Sequence, residues 1–330
     1  MSPFKNIIAA TTRMGPLTAA ESSIKDSACQ LLNIGFEKLV LHADFTTAHW
    51  EALHRYLPPR SIAAAYLFAP HKRSKSHGVL PAPGLGSLNS DERRESIKRA
   101  RQTVEFCDRN DIPFLIVPPI SLEKPTYKDV KKWLLQPSAA GLVQLKERRS
   151  TAPTTIKQLD CYLSTLSQIL DIADRYERRV TLVPGGFPHE QPGLHEIELC
   201  LEEFSGAPVG ILADMVRVHR YLRFQGPEMT RWKDIISGNL TGILVHDGTD
   251  SQQGLPLGKG EVDLENWRPS SMKTAAQEVP MKERLWIVDI AGQNSEDALL
   301  ETLEKTQSLF SAQKKKEDNP LLDSSFRDPL

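Results

Sequence analysis

Short runs of β-branched and aliphatic residues alternate with longer segments whose apolar positions recur every three or four residues, from one end of the chain to the other. The short runs fall at 6–10, 38–42, 62–68, 114–117, 180–183, 210–213, 242–245 and 285–290. Strand signals separated by helical ones predict βα units and a parallel sheet. About eight such strands, each followed by a helical segment, is the number that closes a (β/α)8 barrel, so the expected fold is α/β, a single TIM barrel.

The predicted helices have readable ends. Thr18, with Glu21 three residues on and Gly35 beyond the last turn, bounds a helix over 18–34. Asn89-Ser90-Asp91 opens a second over 92–109, and a third over 155–176 carries Leu159, Leu163, Leu166, Ile169, Leu170 and Ala173 on one stripe. Such stripes are packing faces for the sheet. Two stretches break the rhythm. Residues 71–87, HKRSKSHGVLPAPGLGS, are basic and rich in Gly and Pro, which predicts a lid or binding loop. Residues 121–153, around Trp133, show no clean period and are expected as an insertion. The last residues, 312–330, are polar with Lys314 to Lys316 in a row; they are expected as a disordered tail after a barrel over 1–311.

Composition narrows the class. With 40% hydrophobic residues, 25% charged residues and a formal net charge of −1 over 330 residues, the chain is an ordinary globular one. It offers no broad basic footprint for nucleic acid and no long apolar run for a membrane, so neither is expected as a partner. Cys29, Cys107, Cys161 and Cys200 lie far apart without a CxxC pair and are expected as buried reduced thiols. The start, MSPFKNIIAATTRMG, lacks a secretory pattern, and a cytoplasmic protein is expected.

Chemistry collects at the carboxyl ends of barrel strands. The sixth strand ends in Asp214 (ILADMVRVHR), the seventh in His246 (ILVHDGTD) and the eighth in Asp289 (WIVDIAG). A carboxylate, imidazole, carboxylate set suits a divalent metal such as Mn²⁺, Mg²⁺, Zn²⁺ or Co²⁺. At His246 the residues alone leave open both such a role and simple capping of a strand.

Four segments in order carry a family resemblance: SLNSDERRESIKRARQTVEFCDRNDIPFLIV over 87–117, Asp214, His246-Asp247, and LPLGKGEVDL over 255–264. With them the chain resembles the sugar phosphate isomerase/epimerase family, the xylose-isomerase-like TIM barrels. The resemblance implies an isomerase or epimerase that moves a proton through an enediolate on a small hydroxy-carbonyl, carbohydrate-like substrate, assisted by a divalent metal. It implies Asp214 and His246 as metal ligands, with Asp289 standing where a ligating and catalytic glutamate belongs.

The sequence also departs from the pattern, as a divergent member. Val183 or Pro184 occupies the strand-five glutamate position, Arg217 takes the histidine place of an Asp-x-x-His motif with His219 two residues later, and the second strand offers His42 rather than a glutamate. His189 and Glu190, in the loop after the fifth strand, could fold back as substrate contact and replacement catalytic group, or be solvated. Lys72 and Arg73 after the third strand could hold a substrate phosphate or carboxylate. Arg217 could offset a negative substrate, and Lys259 could touch a phosphate, although no P-loop spacing is present. Glu261 and Asp263 are expected to hold their loop. The sequence keeps two other readings open: a catalytically degenerate barrel that binds a small molecule or a pathway partner, and a lyase or dehydratase on the same scaffold. A homo-oligomer is compatible with all of them.

Overall fold

The computed structural model describes residues 5–12, 21–69, 84–123, 125–225, 232–235, 238–250, 252–268, 283–290 and 296–311. Eight strands form the closed barrel: β1 (Lys5–Thr11), β2 (Lys38–Leu41), β3 (Ile62–Tyr66), β4 (Phe114–Val117), β5 (Arg179–Leu182), β6 (Val209–Asp214), β7 (Leu240–Val245) and β8 (Glu283–Val288). Each pairs in parallel with its sequence neighbours, and β1 closes on β8 with Ile7 opposite Leu285 and Ala10 opposite Val288. The α/β barrel expected from the alternation is therefore the fold.

Alternation along each strand divides the core in two. Ile7, Ala9, Val40, Tyr66, Phe114, Ile116, Leu212, Leu244 and Ile287 pack together inside the barrel. Ala10, Leu39, Leu41, Ala65, Leu115, Val180, Leu182 and Val288 join the larger cluster against the helices. Successive side chains on a strand point to opposite faces, so two apolar faces need an unbroken apolar run. Ile62–Tyr66 is such a run, buried at every position.

The surrounding helices are α1 (Glu21–Ile34), α2 (Thr47–Leu53), α3 (Ser90–Arg109), α4 (Tyr127–Leu135), α5 (Ala139–Thr151), α6 (Pro153–Arg175), α7 (Leu194–Glu203), α8 (Met215–Gln225) and α9 (Glu296–Ser311). Asn89 caps α3 by accepting the N–H of Asp91 at 2.9 Å. The stretch 121–153, expected as an insertion without a clean period, is largely helical. Thr126 and Asp129 cap each other's backbone N–H groups at the start of α4, and Ser138 accepts the N–H of Gly141 at the start of α5. Along α5 only Leu145 is buried, so the helix shows no apolar stripe to read. Pro153 then opens α6 at a position where a missing N–H costs nothing.

Among the described residues, two short antiparallel ribbons decorate the carboxyl ends of the strands. Ile120–Ser121 pairs with Glu190–Gln191, tying the loop after β4 to the loop after β5. Asp247–Gly248 pairs with Gln253–Leu255, folding the loop after β7 on itself. Among the described residues no helix is long and apolar enough to cross a membrane. The cysteines are unpaired; Cys107 and Cys200 are buried, whereas Cys29 and Cys161 are only half-buried. Residues 71–83 of the lid expected over 71–87, the Thr18 cap and the tail over 312–330 lie outside the described residues.

Candidate functional site

Asp214 is the last residue of β6, and α8 begins at the next one. Its Oδ1 therefore sits where it accepts the backbone N–H of Arg217, 2.9 Å away, in the manner of a helix cap. The same oxygen faces His246 Nε2 at 3.0 Å from the end of β7. His246 Nδ1 in turn accepts the backbone N–H of Gly254, at 2.9 Å, from the returning arm of the ribbon. A ring nitrogen that accepts an N–H carries a lone pair, so the proton of the neutral imidazole is on Nε2 and is donated to Asp214.

The Arg217 side chain joins this pair to the loop after β5. Its Nε lies 3.3 Å from Asp214 Oδ2, and its Nη1 donates to Glu190 Oε2 at 2.7 Å. The same Glu190 oxygen accepts the N–H groups of Gly186 at 2.8 Å and Phe187 at 3.1 Å. Gly186 permits this approach: a Cβ there would stand 2.9 Å from Arg217 Cα. Arg149 supports the loop from α5, donating to the carbonyls of Pro188 and Glu190.

Electrostatics follow from these contacts. Burial works against the charge of Asp214, but the facing His246 N–H and Arg217 outweigh it and hold the carboxyl at about 2. Burial likewise opposes ionisation of Glu190, and Arg217 with His189 and the Gly186 N–H more than offsets it, leaving the carboxyl below its usual range. Arg217, desolvated but set between Glu190 and Asp214, is held more firmly protonated than a free guanidinium. Its field also reaches the Tyr66 hydroxyl from the barrel interior.

The remaining candidates are scattered around this centre. Asp289 follows β8, is buried, and accepts the Thr11 hydroxyl at 2.6 Å from the end of β1. His189 is buried with an Nδ1 that lacks a hydrogen-bond partner, and burial pulls its pKa below the ordinary histidine value, a shift that the nearby Glu190 only partly offsets. His42 stands just beyond β2 against the Tyr66 ring, with centroids 5.1 Å apart. His219 points elsewhere, into a group with Asp250 and Glu261. Arg223 lies 3.0 Å from both of those carboxylates and balances them. Lys259 is exposed and adds its field to that of Lys305 at Glu301 on α9. Lys72 and Arg73 lie outside the described residues.

Sequence reasoning missed Arg149, Thr11 and Tyr66. The partners of Arg149 are about 40 positions away, and Thr11 and Tyr66 read as plain strand residues. It also left open the role of Asp247. That buried carboxylate accepts the N–H groups of Gly248 at 2.8 Å, Gly258 at 2.9 Å and Val262 at 3.1 Å, locking the GKGEVD loop against β7. Asp263 caps the next turn through the N–H of Glu265, so it holds the loop as expected.

A histidine ligand presents one lone pair to its metal ion and donates its other ring N–H to an acceptor. His246 has the reverse arrangement, because a backbone donor occupies Nδ1 and Nε2 bears hydrogen. Both oxygens of Asp214 are engaged by His246 and Arg217. Among the described residues, three ligand atoms come within 4.8 Å of one another only in the His219, Asp250 and Glu261 group, so Asp289 does not join Asp214 and His246. The donor set does not fit a divalent ion.

No protein-family profile and no curated protein matches this chain. Solved structures do. A D-allulose 3-epimerase from Methylomonas sp., in complex with D-allulose, aligns with 10% identity over 93% of this chain and 98% of its own, at a TM-score of 0.62. The IOLI protein with a bound zinc atom aligns with 12% identity over 93% and 98%, at 0.60. A xylose isomerase-like TIM barrel protein from Mycobacterium smegmatis, in complex with magnesium, aligns with 12% identity over 93% and 96%, at 0.58. At these identities the likeness establishes a shared xylose-isomerase-like barrel fold.

Proposed function

We propose that this barrel is an isomerase or epimerase of a small, carbohydrate-like hydroxy-carbonyl compound, bound at the carboxyl ends of its strands. The observation that carries the reading is the gathering of Asp214, His246, Glu190 and Arg217 at that end of a barrel, with Asp289 and His189 on the same rim. Buried titratable groups with shifted protonation mark functional clefts. The fold shared with a D-allulose-bound epimerase supports the substrate class.

Within this reading the roles divide by chemistry. A proton-transfer group works best when its affinity for protons is near that of its surroundings. Glu190 and Asp214 are held too firmly ionised for that task and serve as the frame. Asp289 and His189 are the proton-handling pair: burial favours the neutral form of His189, and the two follow β8 and β5, which are separated by two strands around the barrel. His42 and Tyr66 contribute a polar wall for substrate hydroxyls. The unpaired cysteines support a cytoplasmic setting.

Deuterium wash-in tests the reading. The protein is incubated in D₂O with ketoses, aldoses and their phosphates, and the C–H beside the carbonyl is followed by NMR. Exchange that disappears in Asp289→Asn is expected. The internal pairing of Asp214, His246, Glu190 and Arg217 favours one second reading, a ligand-binding barrel without turnover. Saturable binding of a sugar with no exchange would replace the first reading with the second.

A further inference from the structure

At the carboxyl ends of β5 and β6 two carboxylates, on Asp214 and Glu190, share one guanidinium, that of Arg217. Two buried anions require a cation between them, since an unpaired buried charge is strongly unfavourable. Arg217 meets that need with hydrogen bonds in fixed directions. The contact on Glu190 is 2.7 Å and that on Asp214 is 3.3 Å. The side chain of Arg217 nevertheless keeps 19% exposure, against 13% for Glu190 and 4% for Asp214, so it is the most accessible of the three. Gly186 is fitted to the arrangement, because any Cβ there would press on the Arg217 backbone and push the Glu190 loop away.

We propose that Arg217 is the resident cation of this site, that the barrel works without a divalent metal, and that a guanidinium N–H not engaged by the two carboxylates receives an oxygen of the substrate. The inference rests on the location given by the proposed function and specifies how that site is charged. A guanidinium is planar, always charged and able to donate two parallel hydrogen bonds, so it suits a carbonyl oxygen that gains negative charge as a neighbouring C–H loses its proton. Asp214 and Glu190 then act as positioning residues, holding the fork still. His246 completes the support: its Nε2–H occupies the Asp214 oxygen that Arg217 reaches only through its backbone.

The geometry makes a prediction about metal that does not depend on turnover. Full-length protein, purified without chelator or histidine tag, is assayed for metal by plasma mass spectrometry and titrated with MnCl₂ in a calorimeter, with melting followed with and without EDTA. Wild type is expected to carry well under one metal per chain, to bind Mn²⁺ weakly or not at all, and to melt at the same temperature with EDTA. Arg217→Ala leaves the two carboxylates without their cation. It is expected to bind Mn²⁺ at least tenfold more tightly than wild type and to gain several degrees of melting temperature from it, both lost when Asp214→Asn is added.

Wild type that carries near-stoichiometric metal released by Asp214→Ala would overturn the proposal. A folded Arg217→Ala protein that takes up no Mn²⁺ would overturn it equally, since the place of the cation would then not be where Arg217 sits. If Arg217→Ala fails to fold even in Mn²⁺, the metal content and EDTA response of wild type decide alone. Failure of the isomerase reading would leave these results standing, because none of them measures catalysis.

Discussion

Gly254 donates its backbone N–H to His246 Nδ1 across 2.9 Å, and this bond fixes which side of the imidazole carries hydrogen. Gly254 has φ +75°, a left-handed conformation that costs an L side chain about 1–2 kcal/mol. Gly254→Ala is therefore expected to lower stability by about that amount in urea unfolding and to loosen the ring. In wild type, long-range ¹⁵N–¹H spectra should show His246 as the Nε2–H tautomer. An Nδ1–H tautomer would contradict the hydrogen-bond assignment and reopen the question of metal ligation.

The carboxyl of Asp214 sets an acid limit on stability. Its ordinary value of 3.8 falls to about 2 in the fold, so the stability it contributes is fully present above about pH 4 and is lost as pH falls toward 2. The contribution is on the order of 2 kcal/mol. Urea midpoints at pH 7, 4 and 2.5 should drop more steeply for wild type than for Asp214→Asn, which no longer titrates there. Parallel curves would mean that Asp214 gains nothing from its partners.

Glu190 and Arg217 form the second half of the same network and lend themselves to a double-mutant cycle. Removing one partner of a buried ion pair costs about 3–5 kcal/mol because the other charge is stranded. Because this pair is only partly buried, Glu190→Gln and Arg217→Met should each fall below that range, while the double variant should be less destabilised than their sum by at least about 1 kcal/mol. Strict additivity would show that the 2.7 Å contact carries no energy of its own.

Gly186→Ala probes the spacing of the loop against α8. The added methyl would meet the Cα, Cβ and carbonyl oxygen of Arg217 at 2.9 to 3.1 Å, which are backbone and near-backbone atoms that cannot swing aside. A loss of about 1–3 kcal/mol is expected, as for other overpacked sites, together with weaker binding of any sugar ligand in calorimetry. Unchanged stability would show that the loop relaxes freely.

The barrel was legible because strands buried on both faces leave continuous apolar runs, as 62–66 does. Asp214, His246 and Asp289 were legible as strand-end positions because they stand where those runs stop. What could not be read was who pairs with whom. Arg217 in the sequence departs from a ligand motif; only the fold shows it reaching Glu190, 27 positions earlier. Helices α4 and α5 were missed for a different reason. Their caps at Thr126 and Ser138 were present in the sequence, but α5 packs too small a face to create a period, and periodicity was the signal being read. His219, two residues beyond the motif position, stands beside Asp250 and Glu261.

The carboxylate of Asp247, with its three backbone N–H groups, makes the segment after the seventh strand a wall rather than a door. A stretch of chain fastened at 248, 258 and 262 to one buried side chain is set before any ligand arrives. Any closure over a ligand would then fall to loops on other parts of the rim, with this one as a fixed surface to close against.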